Sequence, residues 1–256
     1  MQLFGSEKII DAMEDYDVPE DEYVSGKSLS AAFKKAQDFV ESKNLDSRLY
    51  LYKYDSVANY QRKFVYSWRD GLLENEENFI KFLKTAIADT LKEIFELKDA
   101  ELIAQSMHDV FHVEAAAKEI AETLGLSSRP AKGSVFNEWF NPFYTQAQGN
   151  ESALARAEQK LAEFLQDKAL KIKKDAEVYT AARNLILEII DNQWSAQLEL
   201  MDVLKEEANL FSYASPDPLI DFVLESRKLF AQTVSDAKRQ FLTAIFLRLD
   251  QQGLLD

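Results

Sequence analysis

The chain has 256 residues, 46% of them hydrophobic and 29% charged, with a formal net charge of −14. These are the proportions of a soluble globular protein long enough to bury a sizeable core, and the acidic balance disfavours nucleic acid, which needs a basic face. The absence of cysteine excludes disulfides and Cys-type zinc sites and fits a reducing compartment, while no apolar run approaches the roughly 18–20 residues of a spanning helix and the N-terminus lacks signal-peptide form.

Only 7 Gly and 5 Pro punctuate the chain. Leu, Ala, Glu, Lys and Gln dominate, and all are good helix formers. No convincing series of alternating strands is present, so the expected fold is all-α. Residues 1–16 read as a short helix with Ser6 as N-cap, followed by an acidic connector over 17–27. From Ser28 to Arg69 there is no Gly or Pro. Phe33, Ala36, Val40, Ser47, Leu51, Tyr54, Ala58 and Val65 fall at helical spacing. Such a helix would be about 60 Å long. Its middle, LYLYKY, is apolar on more than one side, as befits a beam with different neighbours on different faces.

Gly71 is the expected end of that beam. Amphipathic helices are expected over 75–98 and over 100–124, the latter ending at Gly125. Residues 125–150 concentrate Gly and Pro and read as the main irregular region. A break is expected near residues 173–175, between one helix and another over about 176–209. After the loop Leu210–Pro218, residues 219–249 read as the final helix.

Two short stretches imitate catalytic motifs. Ser25-Gly26-Lys27-Ser28 resembles the end of a phosphate loop, but Asp21 stands where the first glycine belongs and no strand precedes it. A polar linker entering a helix explains it better. HDVFH places His108 and His112 at i and i+4 on one helix face, a spacing able to hold zinc. Asp109 is shorter than the usual Glu and no third ligand is evident, which leaves a metal-dependent hydrolase as the weakest reading.

Two segments resist a purely structural account. In Glu41–Arg62, the groups Asn44, Asp46, Arg48, Asp55, Asn59, Gln61 and Arg62 crowd the middle of the beam. Asp and Asn are poor helix-interior residues, so this stretch is expected to dock against matching polar groups. In Asp191–Phe230, two long helical segments flank a loop bearing Phe211 and Tyr213, where a turn usually carries small polar residues.

Both segments resemble the C-terminal half of the SecA preprotein translocase family. The family's scaffold helix reads E-x-x-N-F-D-x-R-K and, shortly after, Y-D-D-V-x-N-x-Q-R. Glu41, Asn44, Asp46, Arg48, Tyr54, Asp55, Val57, Asn59, Gln61 and Arg62 keep that spacing, with Leu45, Leu49 and Ser56 departing from it. Further on the family reads D-x-x-W-x-x-H-L-x-x-M-D-x-L-R, L-R-G-Y-A-Q-K-D-P and E-S-x-x-x-F. Asp191, Trp194, Leu198, Met201, Asp202, Leu204, Leu210, Tyr213, Ala214, Asp217, Pro218, Glu225, Ser226 and Phe230 match. Gln197 stands for the His, Lys205 for the Arg, and Phe211-Ser212 for Arg-Gly. The middle, about 74–180, matches by length and helical character alone.

The resemblance implies a short helix plus scaffold helix over 1–73, a helical wing over 74–180, and a two-helix finger with a C-terminal scaffold helix over 181–256. It implies that Asp46, Arg48, Asp55, Asn59, Gln61 and Arg62 face ATPase motor domains. It also implies that Lys205, Phe211, Ser212 and Tyr213 meet the SecY channel and the preprotein. The motor's nucleotide motifs are absent from this sequence. ATP and Mg are therefore expected only in motor domains, with no cofactor or metal in this chain and no hydrolysis by it alone. The implied location is cytoplasmic, peripheral at the inner face of the plasma membrane. An excised portion, a split subunit and a motorless paralogue all stay open, as does a non-catalytic helical adaptor. Exposed docking surfaces would favour self-association of the isolated chain.

Overall fold

The computed structural model describes residues 27–113, 120, 124, 136–147, 150–210 and 217–252. Seven α-helices and no strand occur among the described residues, in agreement with the all-α expectation. In chain order they are α1 (Lys27–Glu74), α2 (Glu76–Phe95), α3 (Ala100–Phe111), α4 (Phe136–Ala147), α5 (Glu151–Leu170), α6 (Ala176–Leu210) and α7 (Pro218–Gln251). A 3-10 turn over Lys171–Lys174 joins α5 to α6. The expected N-terminal helix lies outside the described residues.

Most starts are set by one device. Asn75, Asp99, Asn150, Asp175 and Asp217 precede α2, α3, α5, α6 and α7, and each side-chain oxygen accepts hydrogen bonds from first-turn backbone N–H groups. Each such cap is worth about 1 kcal/mol. Pro218 then occupies the first turn of α7, where its missing N–H costs nothing.

Three expectations change. Gly71 does not end α1, which runs on to Glu74. The Gly71 carbonyl accepts a hydrogen bond from the Asn78 side-chain amide at 3.1 Å, and the real stop is the Asn75 cap. The helix expected over 100–124 breaks early. His112 adopts the left-handed conformation with φ 47°, capping α3 while its N–H still bonds to the His108 carbonyl. Within 125–150 the structure holds α4, with Pro142 inside it. Phe140, Tyr144 and Ala147, at i, i+4 and i+7, are buried and bind this helix to the core more strongly than one missing N–H loosens it.

The chain divides into two compact units, residues 1–57 and 58–256. In the first, the described residues belong to α1 and are nearly all exposed. Among them Tyr54 is buried, 2% exposed, with its ring 4.6 Å from that of Tyr50. The second unit has one core running from Val65 to Leu249. Phe241, fully buried, meets Phe79 edge-on at 6.1 Å and Phe82 at 5.5 Å. Phe111 meets Phe246 edge-on at 5.1 Å, and Phe140 gathers Phe95, Phe143 and Tyr144. Each such burial stabilises by about 1.5–3 kcal/mol. Residues from both 74–180 and 181–256 contribute to this core.

Polar contacts join α2 to α7. Lys238 bonds to Asp89 at 2.6 Å, and the Ser235 hydroxyl donates to Glu93 at 2.6 Å. No helix among the described residues is long and apolar enough to cross a membrane.

Candidate functional site

In α1, residues at i, i+4, i+7 and i+11 share a face. Spacing therefore aligns Gln61, Val65, Trp68 and Leu72, of which Gln61, Val65 and Leu72 are buried and Trp68 half-buried. Within the first unit, Leu45, Leu49 and Tyr52 share a face and stay 53%, 48% and 71% exposed. An apolar stripe left in water is the mark of an interaction surface.

Helical spacing also puts Arg48 and Asp55 on one side of α1 in the first unit, and Asn59 and Arg62 on one side of it in the second, and all four are exposed. Asp46 is exposed as well but falls on another side. Gln61 differs from the expectation of an outward-facing group. It is 3% exposed and committed internally, because it stands on the buried stripe. Five of the six residues are thus exposed on α1.

Helices α6 and α7 form an antiparallel pair joined through residues 211–217. Phe211, Ser212 and Tyr213 lie outside the described residues. Lys205, the fourth expected contact, is half-buried on α6. Leu204, Ala208, Pro218 and Phe222 line an apolar groove together with Glu207, Asp221 and Glu225. Asp217 and Pro218 owe their place to the start of α7, as its cap and first residue.

Three sets of polar contacts tie α1 to this pair. The Arg69 guanidinium meets the Asp191 carboxylate at 2.9 and 3.3 Å. The hydrogen bond and charge of Asp191 hold the Arg69 pKa above its ordinary value. Arg183 donates to the Leu72 carbonyl at 2.9 Å and to the Leu73 carbonyl, satisfying orphan acceptors at the end of α1.

The third is buried. Gln197, fully inaccessible, donates from its amide nitrogen to Gln61 Oε1 at 3.1 Å. Gln61 Nε2 donates to the Ser226 carbonyl at 3.1 Å. The Thr233 hydroxyl donates to Gln197 Oε1 at 2.8 Å and is also 3.0 Å from the Leu229 carbonyl. One chain of neutral groups therefore links α1, α6 and α7. Breaking it would leave buried amide groups unpaired, at about 1–3 kcal/mol each.

Sequence reasoning noticed Gln197 only as a departure and gave Thr233 and Arg183 no role. A signal for the first existed. Ile190, Trp194, Gln197 and Met201 follow the spacing of a buried stripe, and Gln197 is its one polar member.

The two histidines are not arranged as expected. Their ring centroids are 6.2 Å apart, but His112 has left helical geometry. Among the described residues no group of three or more His, Cys, Asp or Glu is placed to hold a metal ion.

A family model described as SecA Wing and Scaffold domain matches residues 23–248. The protein translocase subunit SecA of Campylobacter lari is 30% identical over 250 residues, covering 96% of this chain and 27% of that protein. That of Nitratiruptor sp. is 28% identical over 249 residues, covering 96% and 27%. That of Aquifex aeolicus is 28% identical over 249 residues, covering 96% and 23%. This chain spans roughly a quarter of the length of the curated relatives it matches. With that match across residues 23–248, and the paired helices tied to α1 through residues of the two motifs, the chain belongs to the SecA Wing and Scaffold domain family.

Proposed function

We propose that this chain is the coupling part of a SecA-type protein translocase. In this reading α1 docks against ATPase motor domains, and the α6–α7 hairpin carries their motion to a preprotein entering the SecY channel. Motor domains, ATP and Mg would lie outside this chain, and the assembly would work at the inner face of the membrane without spanning it.

The observation that supports it is the surface of α1. Leu45, Leu49 and Tyr52 lie exposed on the helix that also carries Arg48, Asp55, Asn59 and Arg62. A stripe of aliphatic and aromatic groups beside fixed charges is suited to a protein partner. The apolar groups supply affinity and the charges supply register.

Binding of this chain to a SecA portion comprising the motor domains, followed by calorimetry, tests the reading. Arg48→Glu and Arg62→Glu together are expected to weaken binding roughly tenfold or more, the loss of one or two charge-assisted hydrogen bonds. Unchanged affinity in that variant would contradict the docking face. Binding that survives with no contribution to transport would mark an adaptor instead.

A further inference from the structure

The hairpin can relay movement only if it does not slip along α1. Part of the contact between them is apolar. Phe64 meets Phe230 edge-on at 5.6 Å, and Val65, Trp68, Trp194 and Phe230 line a narrow slot. Apolar attraction is not directional, and a helix surface repeats at every turn. Side chains packed ridge into groove can therefore find comparable partners one turn away, a shift of about 5.4 Å.

The amide chain cannot. Both ends of Gln61 and both ends of Gln197 are engaged, and the partners lie on three different helices. A one-turn shift would carry Gln197 to the height of Gln193 and away from Gln61, beside a slot whose lining is mostly apolar, with Gln193 and Thr233 its polar members. We propose that Gln61, Gln197 and Thr233 form a register lock, a set of positioning residues that fixes the height of α6 and α7 against α1. Displacement of α1 is then delivered to the hairpin rather than lost by sliding. A lone buried polar group setting helix register is the best-attested use of such groups. Because the groups are neutral amides and a hydroxyl, the lock does not titrate over the physiological range. Its coupling role rests on the function proposed above, while its effect on register does not.

The absence of cysteine allows a direct test. Arg69→Cys with Asp191→Cys reports the observed height, since those side chains are in contact. Arg69→Cys with Ser195→Cys reports α6 displaced by one turn, Ser195 being exposed four residues on. A short thiol cross-linker is applied to both pairs, with the amides intact and with Gln61→Leu and Gln197→Leu combined. The amide-intact protein should link only the first pair. In the double leucine variant the second pair should rise about tenfold or more, the population change implied by losing two hydrogen-bonded pairings. Thermal unfolding should stay cooperative.

Cross-linking confined to the first pair in the leucine variant would overturn the lock, since packing alone would then set register. Should that variant lose its cooperative melt, Gln197→Asn keeps polarity but shortens the reach, and the same two outcomes apply. The cross-link needs neither motor nor channel, so its failure leaves the translocase reading untouched. A slipping variant that still transports at the wild-type rate would overturn the coupling role alone.

Discussion

Arg69 and Asp191, separated by 122 residues, meet through two hydrogen bonds of 2.9 and 3.3 Å between α1 and α6. Asp191 opens the hairpin motif in the sequence, and its partner stands at the far end of the scaffold helix. Both side chains keep substantial exposure, 36% and 54%, so solvent screens the pair. Arg69→Ala should cost about 0.2–1 kcal/mol at low ionic strength. Most of that should vanish in molar salt, where charges are screened within about 3 Å. Urea denaturation at the two salt levels checks it. A loss that persists in high salt would mean that packing by the arginine stem, rather than charge, holds the contact.

Gly71 lies inside α1 at ordinary helical geometry. A Cβ added there would meet only Asn78 Nδ2, at 3.8 Å, which is comfortable contact. Gly71→Ala should therefore raise stability by about 0.5–1 kcal/mol, mainly by narrowing the unfolded ensemble. An unchanged or lowered urea midpoint would mean that the Asn78–Gly71 hydrogen bond is disturbed.

Phe241 is the hub of the core, inaccessible and in ring contact with Phe79 and Phe82. Phe241→Ala should cost about 3–5 kcal/mol, transfer and cavity terms together. Phe241→Leu, which keeps most of the volume, should cost markedly less. Equal losses in chemical denaturation would deny that the site is closely packed.

Glu158 gives a pH signature. Burial pushes its carboxyl above the ordinary glutamate range, Lys92 offsets part of that, and Glu96 adds to it. The folded chain then holds this proton to higher pH than the unfolded chain does. Stability contributed here is present below the unfolded value near about 4.3. It falls as pH rises, and levels off above the raised folded value. Glu158→Gln should match the wild type near pH 4 and exceed it at pH 7. A variant less stable at pH 7 would reverse the assigned sign.

Much of this fold was legible in the sequence, because helical period and capping residues agreed. The starts at 75, 99, 150, 175 and 217 each carry Asn or Asp, and each performs a cap. Errors arose where Gly and Pro were weighted above packing. Gly71 and Pro142 both lie inside helices, the latter because Phe140, Tyr144 and Ala147 gain more by burial than one hydrogen bond is worth. His112 broke a helix with no glycine at hand, a tertiary choice that local propensity does not encode. In the candidate site, spacing revealed the polar face of α1. It missed that Gln61 belongs to the buried stripe, since the partner that satisfies it, Gln197, lies 136 residues away.

Transport itself is the most direct test of the central claim. This chain would be combined with a SecA portion carrying the motor domains, ATP and vesicles containing SecY, and protease-protected preprotein would be measured. The account predicts that the chain restores ATP-dependent uptake, and that Tyr213→Ala lowers the uptake rate while leaving motor binding intact. Uptake by Tyr213→Ala at the wild-type rate would contradict it.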